Sequence, residues 1–148
     1  MANYITVIAA TTYIEGNKFT HAAWDDLTDT AKGIAVSLAT KAINSLAYKS
    51  TKTVDSQDNE FPRGTDTTVP EAITDACAEL ANALAEGEDA QEQFDGLNVI
   101  GRTFGSVSLT LKPKSTSTHI AAGIVSIVAW RLLIPYLRNM DQILVERV

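Results

Sequence analysis

Between Pro70 and Gly87 runs the pattern that most limits what this chain can fold into. Ile73, Ala76, Cys77, Leu80 and Leu84 recur at three- and four-residue steps, which draws one apolar stripe on a helix. Pro70 sits where a first helical turn tolerates a residue without N–H, and Glu71 faces the positive end of the helix dipole. Gly87 supplies a left-handed stop. Asp75, Glu79, Asn82 and Glu86 follow the same period on the other side, predicting a polar face. A stripe of this kind needs other elements to cover it, so the rest of the chain is read for partners.

The partners are mostly helical. Thr6 is placed to cap a short helix through Tyr13 and Ile14 that Gly16-Asn17 ends, and Thr20 to Leu27 adds a further turn around Trp24. Ala31, Ala35, Leu38, Ala42 and Leu46 predict a long helix from about Asp29 to Tyr48, with Lys32 and Lys41 off the stripe. The apolar run from His119 to Tyr136 reads as a second long helix, capped by Thr118 and kinked or ended by Pro135. Val107, Leu109 and Leu111 alternate with Ser106, Ser108, Thr110 and Lys112, the two-residue period of a strand, and Gly101 and Gly105 mark a turn or bulge before it. The fold class expected is therefore mainly α: a small helical bundle with a minor β element, strand or hairpin, near residues 99–112, and an extended C-terminal tail.

A chain of 148 residues suits one domain, residues 1–148, and lets about two thirds of the unfolded surface be buried. Two segments stand apart from the bundle. Residues 50–68 turn polar around Phe61-Pro62-Arg63-Gly64, long for a loop in a compact domain and predicted to be ordered by a partner. Residues 139–148 end in Ile143-Leu144-Val145-Glu146-Arg147-Val148, a strand pattern with nothing after it. The start, Met1-Ala2-Asn3-Tyr4, lacks the basic and apolar regions of a signal peptide. Ile120 to Ile134 is shorter than the ~20 residues of a spanning helix and carries Ser126 and Arg131, so no membrane role is expected.

Catalytic chemistry finds little to work with. The two histidines, His21 and His119, each lie near a helix start and outside any nucleophile motif. Asp25-Asp26 and Glu88-Asp89 lack the spacing of a calcium loop and read as solvated turns. Cys77 is the one cysteine, so neither an internal disulfide nor a thiolate metal site can form. No phosphate cradle or dinucleotide fingerprint occurs. The chain is read as no enzyme, with no cofactor and no metal.

Nucleic acid is the remaining ligand class to weigh. Lys18, Lys32, Lys41, Lys49 and Lys52 fall in the first third near Tyr13, Trp24 and Tyr48, the ingredients of a single-strand track. They scatter around a helix and the loop after it, which is the pattern of a solvated face, and the net charge of −6 repels phosphates unless basic groups gather.

The order of landmarks resembles a family. Tyr4-Ile5-Thr6 opens a short helix, Trp24 precedes an alanine-rich one, and Phe61-Pro62-Arg63-Gly64 precedes Val69-Pro70 and a helix carrying Glu79-Leu80-Ala81. Gly105-Ser106-Val107-Ser108-Leu109 and Leu132-Leu133-Ile134-Pro135-Tyr136-Leu137 follow. The chain resembles the head-tail connector adaptor, or head-completion, proteins of tailed bacteriophages. It resembles equally a group labelled as single-stranded-DNA-binding proteins similar to a primosomal replication factor. The family's usual tryptophan before the Pro-Arg pair is Phe61 here.

The adaptor resemblance implies a virion subunit made in the host cytoplasm. It forms a homo-oligomeric ring, typically a dodecamer, between the portal protein and a tail-side stopper or tail-completion protein, with DNA passing through without specific binding. The alternatives are a replication-associated single-stranded-DNA binder and a tail-completion ring protein. Candidate partner contacts are Phe61 and Arg63, where Arg63 would meet a neighbour's carboxylate, and Ile143, Leu144, Val145 and Arg147, which would dock on the portal or an adjacent subunit. The competing readings tuck Phe61 into its own core and close the tail on Val107 to Leu111.

Overall fold

The structure, a computed structural model, describes residues 2–89, 92, 101–104, 107–110 and 118–138. Those residues are mainly helical. Helix α1 (Val7–Asn17) starts where the Thr6 hydroxyl accepts from the Ala9 N–H at 3.2 Å. A short α2 (Ala22–Asp25) carries Trp24, and α3 (Asp29–Asn44) is capped the same way by Thr28, which accepts from the Ala31 N–H at 3.2 Å. Then come α4 (Glu71–Ala85), the strands β1 (Gly101–Phe104) and β2 (Val107–Thr110), α5 (Thr118–Ala121), α6 (Ile127–Leu133) and a 3-10 turn, Ile134–Tyr136. The strands form an antiparallel hairpin that pairs Gly101 with Thr110 and Phe104 with Val107, the minor β element expected near 99–112.

Helix α4 is the centre of the bundle. It packs on α1, α2, α3 and α6, and its residues Ala76, Cys77, Ala78, Leu80 and Ala81 are all buried. Four buried alanines, Ala76, Ala78, Ala81 and Ala83, keep the helix thin, so neighbours approach from several sides and cover more than one stripe. The polar face predicted for α4 is therefore corrected: Glu79 and Asn82 are buried, while Gly87 ends the helix with φ +83° as expected.

Two other boundaries differ from the sequence pattern. α3 stops at Asn44, not Tyr48, and buries Ala35, Val36, Ala39, Thr40 and Ile43, so Leu38 faces outward. The alanine period allowed two faces, and the larger Val36 and Ile43 chose the one that meets α4. The long helix read from His119 to Tyr136 is two helices, because Gly123 at φ +79° leaves the right-handed path and Ser126 caps a new start by accepting from the Ala129 N–H at 3.2 Å. Thr118 is the first residue of α5.

The ends of the bundle are tied together by backbone. Tyr48 bridges Leu137, the Lys49 N–H donates to the Tyr136 carbonyl at 2.8 Å, and the Arg138 N–H donates to Ala47 at 3.1 Å. Phe61 inserts beneath this tie, edge-on to Tyr4, Tyr48 and Tyr136. No helix among the described residues is long and apolar enough to cross a membrane.

Candidate nucleic-acid interface

Single-strand binding needs exposed rings and free cations; the first third of the chain leaves Phe19 and Lys41 at the surface, but most of its other candidates are engaged within the fold. Trp24 has no exposed surface, and its indole N–H donates to the Thr11 hydroxyl at 3.1 Å. Tyr48 is buried too, with its hydroxyl donating to the Ile43 carbonyl at 2.7 Å; burial raises that hydroxyl's pKa far above its ordinary value. Lys32 stands over the Trp24 ring, its ammonium 5.7 Å from the centroid. Lys18 pairs with Glu79, and Lys52 pairs with Glu60 at 3.2 Å. The Glu79 carboxylate also accepts from the Tyr13 hydroxyl at 3.2 Å. Burial, then the nearby Glu79 and Asp75 charges, push that hydroxyl up to about 12. These three lysines and two rings form no open track.

The loop residues singled out in the sequence are also turned inward. Phe61 is 3% exposed. Arg63 donates to the Lys49 carbonyl at 3.0 Å from Nε, to the Ser50 carbonyl, and to the Glu60 carboxylate of its own loop. Its guanidinium also lies 5.6 Å from the Tyr48 ring. Gln57 completes the hold, donating to the carbonyls of Asn59 and Pro62, both at 2.9 Å. Residues 50–68 thus carry their own fastening, and Arg63 meets a carboxylate within the loop. Ile143, Leu144, Val145 and Arg147 lie outside the described residues.

Groups with catalytic potential are scattered. His21 sits 2.7 Å from the Asp25 carboxylate at the start of α2, and His119 is on α5, where burial lowers its pKa and favours the neutral ring. Burial pushes the Cys77 thiol up to about 11, well away from the thiolate a nucleophile requires. No three metal-ligating side chains gather among the described residues. A groove of about 430 Å³ between α1 and α4 is lined by Tyr4, Thr6, Tyr13, Glu71, Thr74 and Asp75. Burial, followed by the Glu71 and Glu79 charges, raises the Asp75 carboxyl, and acidic walls of this kind repel phosphate.

Basic charge is segregated elsewhere in the chain, away from the lysines and rings of the first third. Residues 96–140 hold none of the chain's 18 Asp and Glu but carry Arg102, Lys112, Lys114, Arg131 and Arg138. Counting charge by segment exposes this run from the sequence alone. Arg131, near the end of α6, and Arg138, after the 3-10 turn, are both exposed. The backbone tie brings Lys49 to the same edge, where its ammonium donates to the Pro135 carbonyl at 3.2 Å. The hairpin belongs to the same acid-free stretch. A basic edge of this sort can hold phosphates without reading bases.

No match is found among curated proteins or among solved structures. A family model described as "Putative DnaT-like ssDNA binding protein" matches residues 2–148, nearly the whole chain, and the protein belongs to that family.

Proposed function

We propose that this chain is a non-catalytic, replication-associated protein that binds single-stranded DNA through the acid-free stretch 96–140. The observation that carries the reading is the segregation of charge, with five basic and no acidic side chains in that stretch, Arg131 and Arg138 exposed, and Lys49 bound to the Pro135 carbonyl that lies between them in sequence. The family description, single-stranded-DNA binding, supports it. Contact is chiefly to the backbone, because Trp24 and Tyr48 are spent in the core and Phe19 is the one fully exposed ring of the first third.

Fluorescence anisotropy with an oligo-dT strand tests the proposal. Three to five phosphate contacts predict a slope of about −2 to −3.5 in log affinity against log salt. Arg131→Glu with Arg138→Glu weakens binding at least about tenfold, whereas Lys32→Gln leaves it unchanged. Binding that is lost with Lys32 and kept without the two arginines would sink the assignment.

The second reading is the head-tail connector ring docked between portal and tail, with a tail-completion ring as its variant. It is favoured by the order of landmarks from Tyr4 to Leu137 and by the burial of Trp24 and Tyr48, which removes two of the stacking platforms a dedicated single-strand binder could use. In that setting the acid-rich first 95 residues suit a channel through which DNA slides. Imaging and sedimentation of the purified protein, with and without portal, separate the two. Rings that attach to portal, from a protein that does not hold oligo-dT at low salt, reverse the order of preference.

A further inference from the structure

Glu60 lies between two cations of its own loop. Its carboxylate takes the Lys52 ammonium on Oε1 at 3.2 Å and the Arg63 guanidinium on Oε2. Neither cation depends on Glu60 for its place. Lys52 and Arg63 are paired by an antiparallel bridge, flanked by backbone bonds from the Thr53 N–H to Pro62 at 3.1 Å and from the Gly64 N–H to Thr51 at 2.9 Å. Arg63 also donates to the Lys49 and Ser50 carbonyls, and this grip helps to hold Ser50 at φ +61°, where a residue with a side chain needs such support. The Glu60 backbone is held separately, its N–H donating to Asn44 at 3.0 Å. The Glu60 and Lys52 side chains keep 25% and 27% of their surface exposed, against 11% for Arg63, so the carboxylate can swing to solvent while the frame stays.

We propose that Lys52 and Arg63 form a seat for a phosphate oxyanion, filled in the free protein by the Glu60 carboxylate, which yields it to an arriving phosphate. A guanidinium fork and an ammonium on one face serve phosphate oxygens as they serve a carboxylate, so one anion replaces another. Lys49 joins the seat to the basic edge. Its carbonyl receives the Arg63 Nε–H at 3.0 Å, while its N–H and its ammonium reach the Tyr136 and Pro135 carbonyls. As a DNA contact the seat rests on the single-strand-binding reading; as an oxyanion site it does not. If Glu60 fills the seat about nine-tenths of the time, it lowers the apparent affinity there about tenfold.

Carboxyl-carbon NMR of the full chain at low salt tests the exchange, with inorganic phosphate and oligo-dT added in separate titrations. The Glu60 signal is expected to move with at least one of them while that of Asp55, exposed on the same loop, stays. Movement with oligo-dT alone marks a strand contact, and movement with phosphate marks a site that also takes the free anion. A Glu60 signal that moves with phosphate in a protein that does not hold oligo-dT keeps the seat and removes the single-strand reading. No movement with either overturns the proposal. Charge-matched variants supply a second test, read as affinity for whichever probe moves the signal. Glu60→Gln is expected to tighten binding about three- to tenfold, and Asp55→Asn, which removes the same charge, by less than about twofold. Lys52→Gln weakens it about tenfold, and Lys32→Gln leaves it unchanged. Equal effects within each pair also overturn the proposal.

Discussion

Tyr4 shows how a single side chain joins distant parts of this protein. Its hydroxyl donates to Asn44 at the end of α3 and accepts from the Phe61 N–H at 3.2 Å, so one oxygen links the N-terminus, α3 and the loop. Burial pushes that hydroxyl up to about 12, offset in part by the Phe61 and Glu60 backbone bonds. A hydroxyl with a raised folded-state pKa binds its proton more tightly than it does in the unfolded chain. The stability it contributes is therefore intact below pH 10 and lost as pH rises towards 12. Alkaline titration of stability by denaturant should fall across that window, and Tyr4→Phe should flatten the fall. At pH 7 the same substitution leaves a buried Phe61 N–H unpaired and costs about 1–3 kcal/mol, read from the denaturation midpoint. None of this was legible in the sequence, where Tyr4 was only a landmark, because a hydroxyl's partners 40 and 57 residues away leave no local pattern.

At the scale of elements, caps and stops were legible and faces less so. Thr6 and Gly87 act as their local chemistry predicts, while Pro70 is the N-cap of α4, one residue before the first helical position expected for it. The buried side of α3 was misread because alanines mark a helix without marking its inward face, and the choice was made by how Val36 and Ile43 meet α4. The acid-free stretch was legible by counting, but its exposed edge depends on a backbone tie between residues 47–49 and 136–138 that no periodicity announces. Glycine effects separate local from tertiary control. Gly33 lies within α3 and Gly123 at the break between α5 and α6, and a Cβ added at either meets nothing within 4 Å. Sterics being equal, backbone preference decides: Gly33→Ala is expected to stabilise by about 0.5–1 kcal/mol. Gly123→Ala, forced to keep φ +79°, is expected to destabilise by about 1–2 kcal/mol. Urea denaturation of the two variants reads both signs.

For the whole molecule, the division of charge sets two opposite responses to salt. The first 95 residues contain 16 of the 18 acidic side chains, so their mutual repulsion acts against the compact state. Ion pairs such as Lys18–Glu79, Lys52–Glu60 and Arg63–Glu60 oppose this, but the same 95 residues carry only six Lys and Arg against the 16 acidic side chains. Screening therefore relieves more repulsion than it removes attraction. As the Debye length shrinks from about 30 Å at 0.01 M salt to about 8 Å at 0.15 M, the melting midpoint is expected to rise by a few degrees. Affinity for oligo-dT falls over the same range, since counterions then compete for the phosphates that Arg131, Arg138 and Lys49 would hold. Calorimetry and anisotropy on one salt series read both slopes. A midpoint that falls with salt would mean that the internal pairs, and not the acidic surface, dominate the electrostatics of folding; the basic edge would then be one more locally balanced patch, without the contrast that sets it apart as a site.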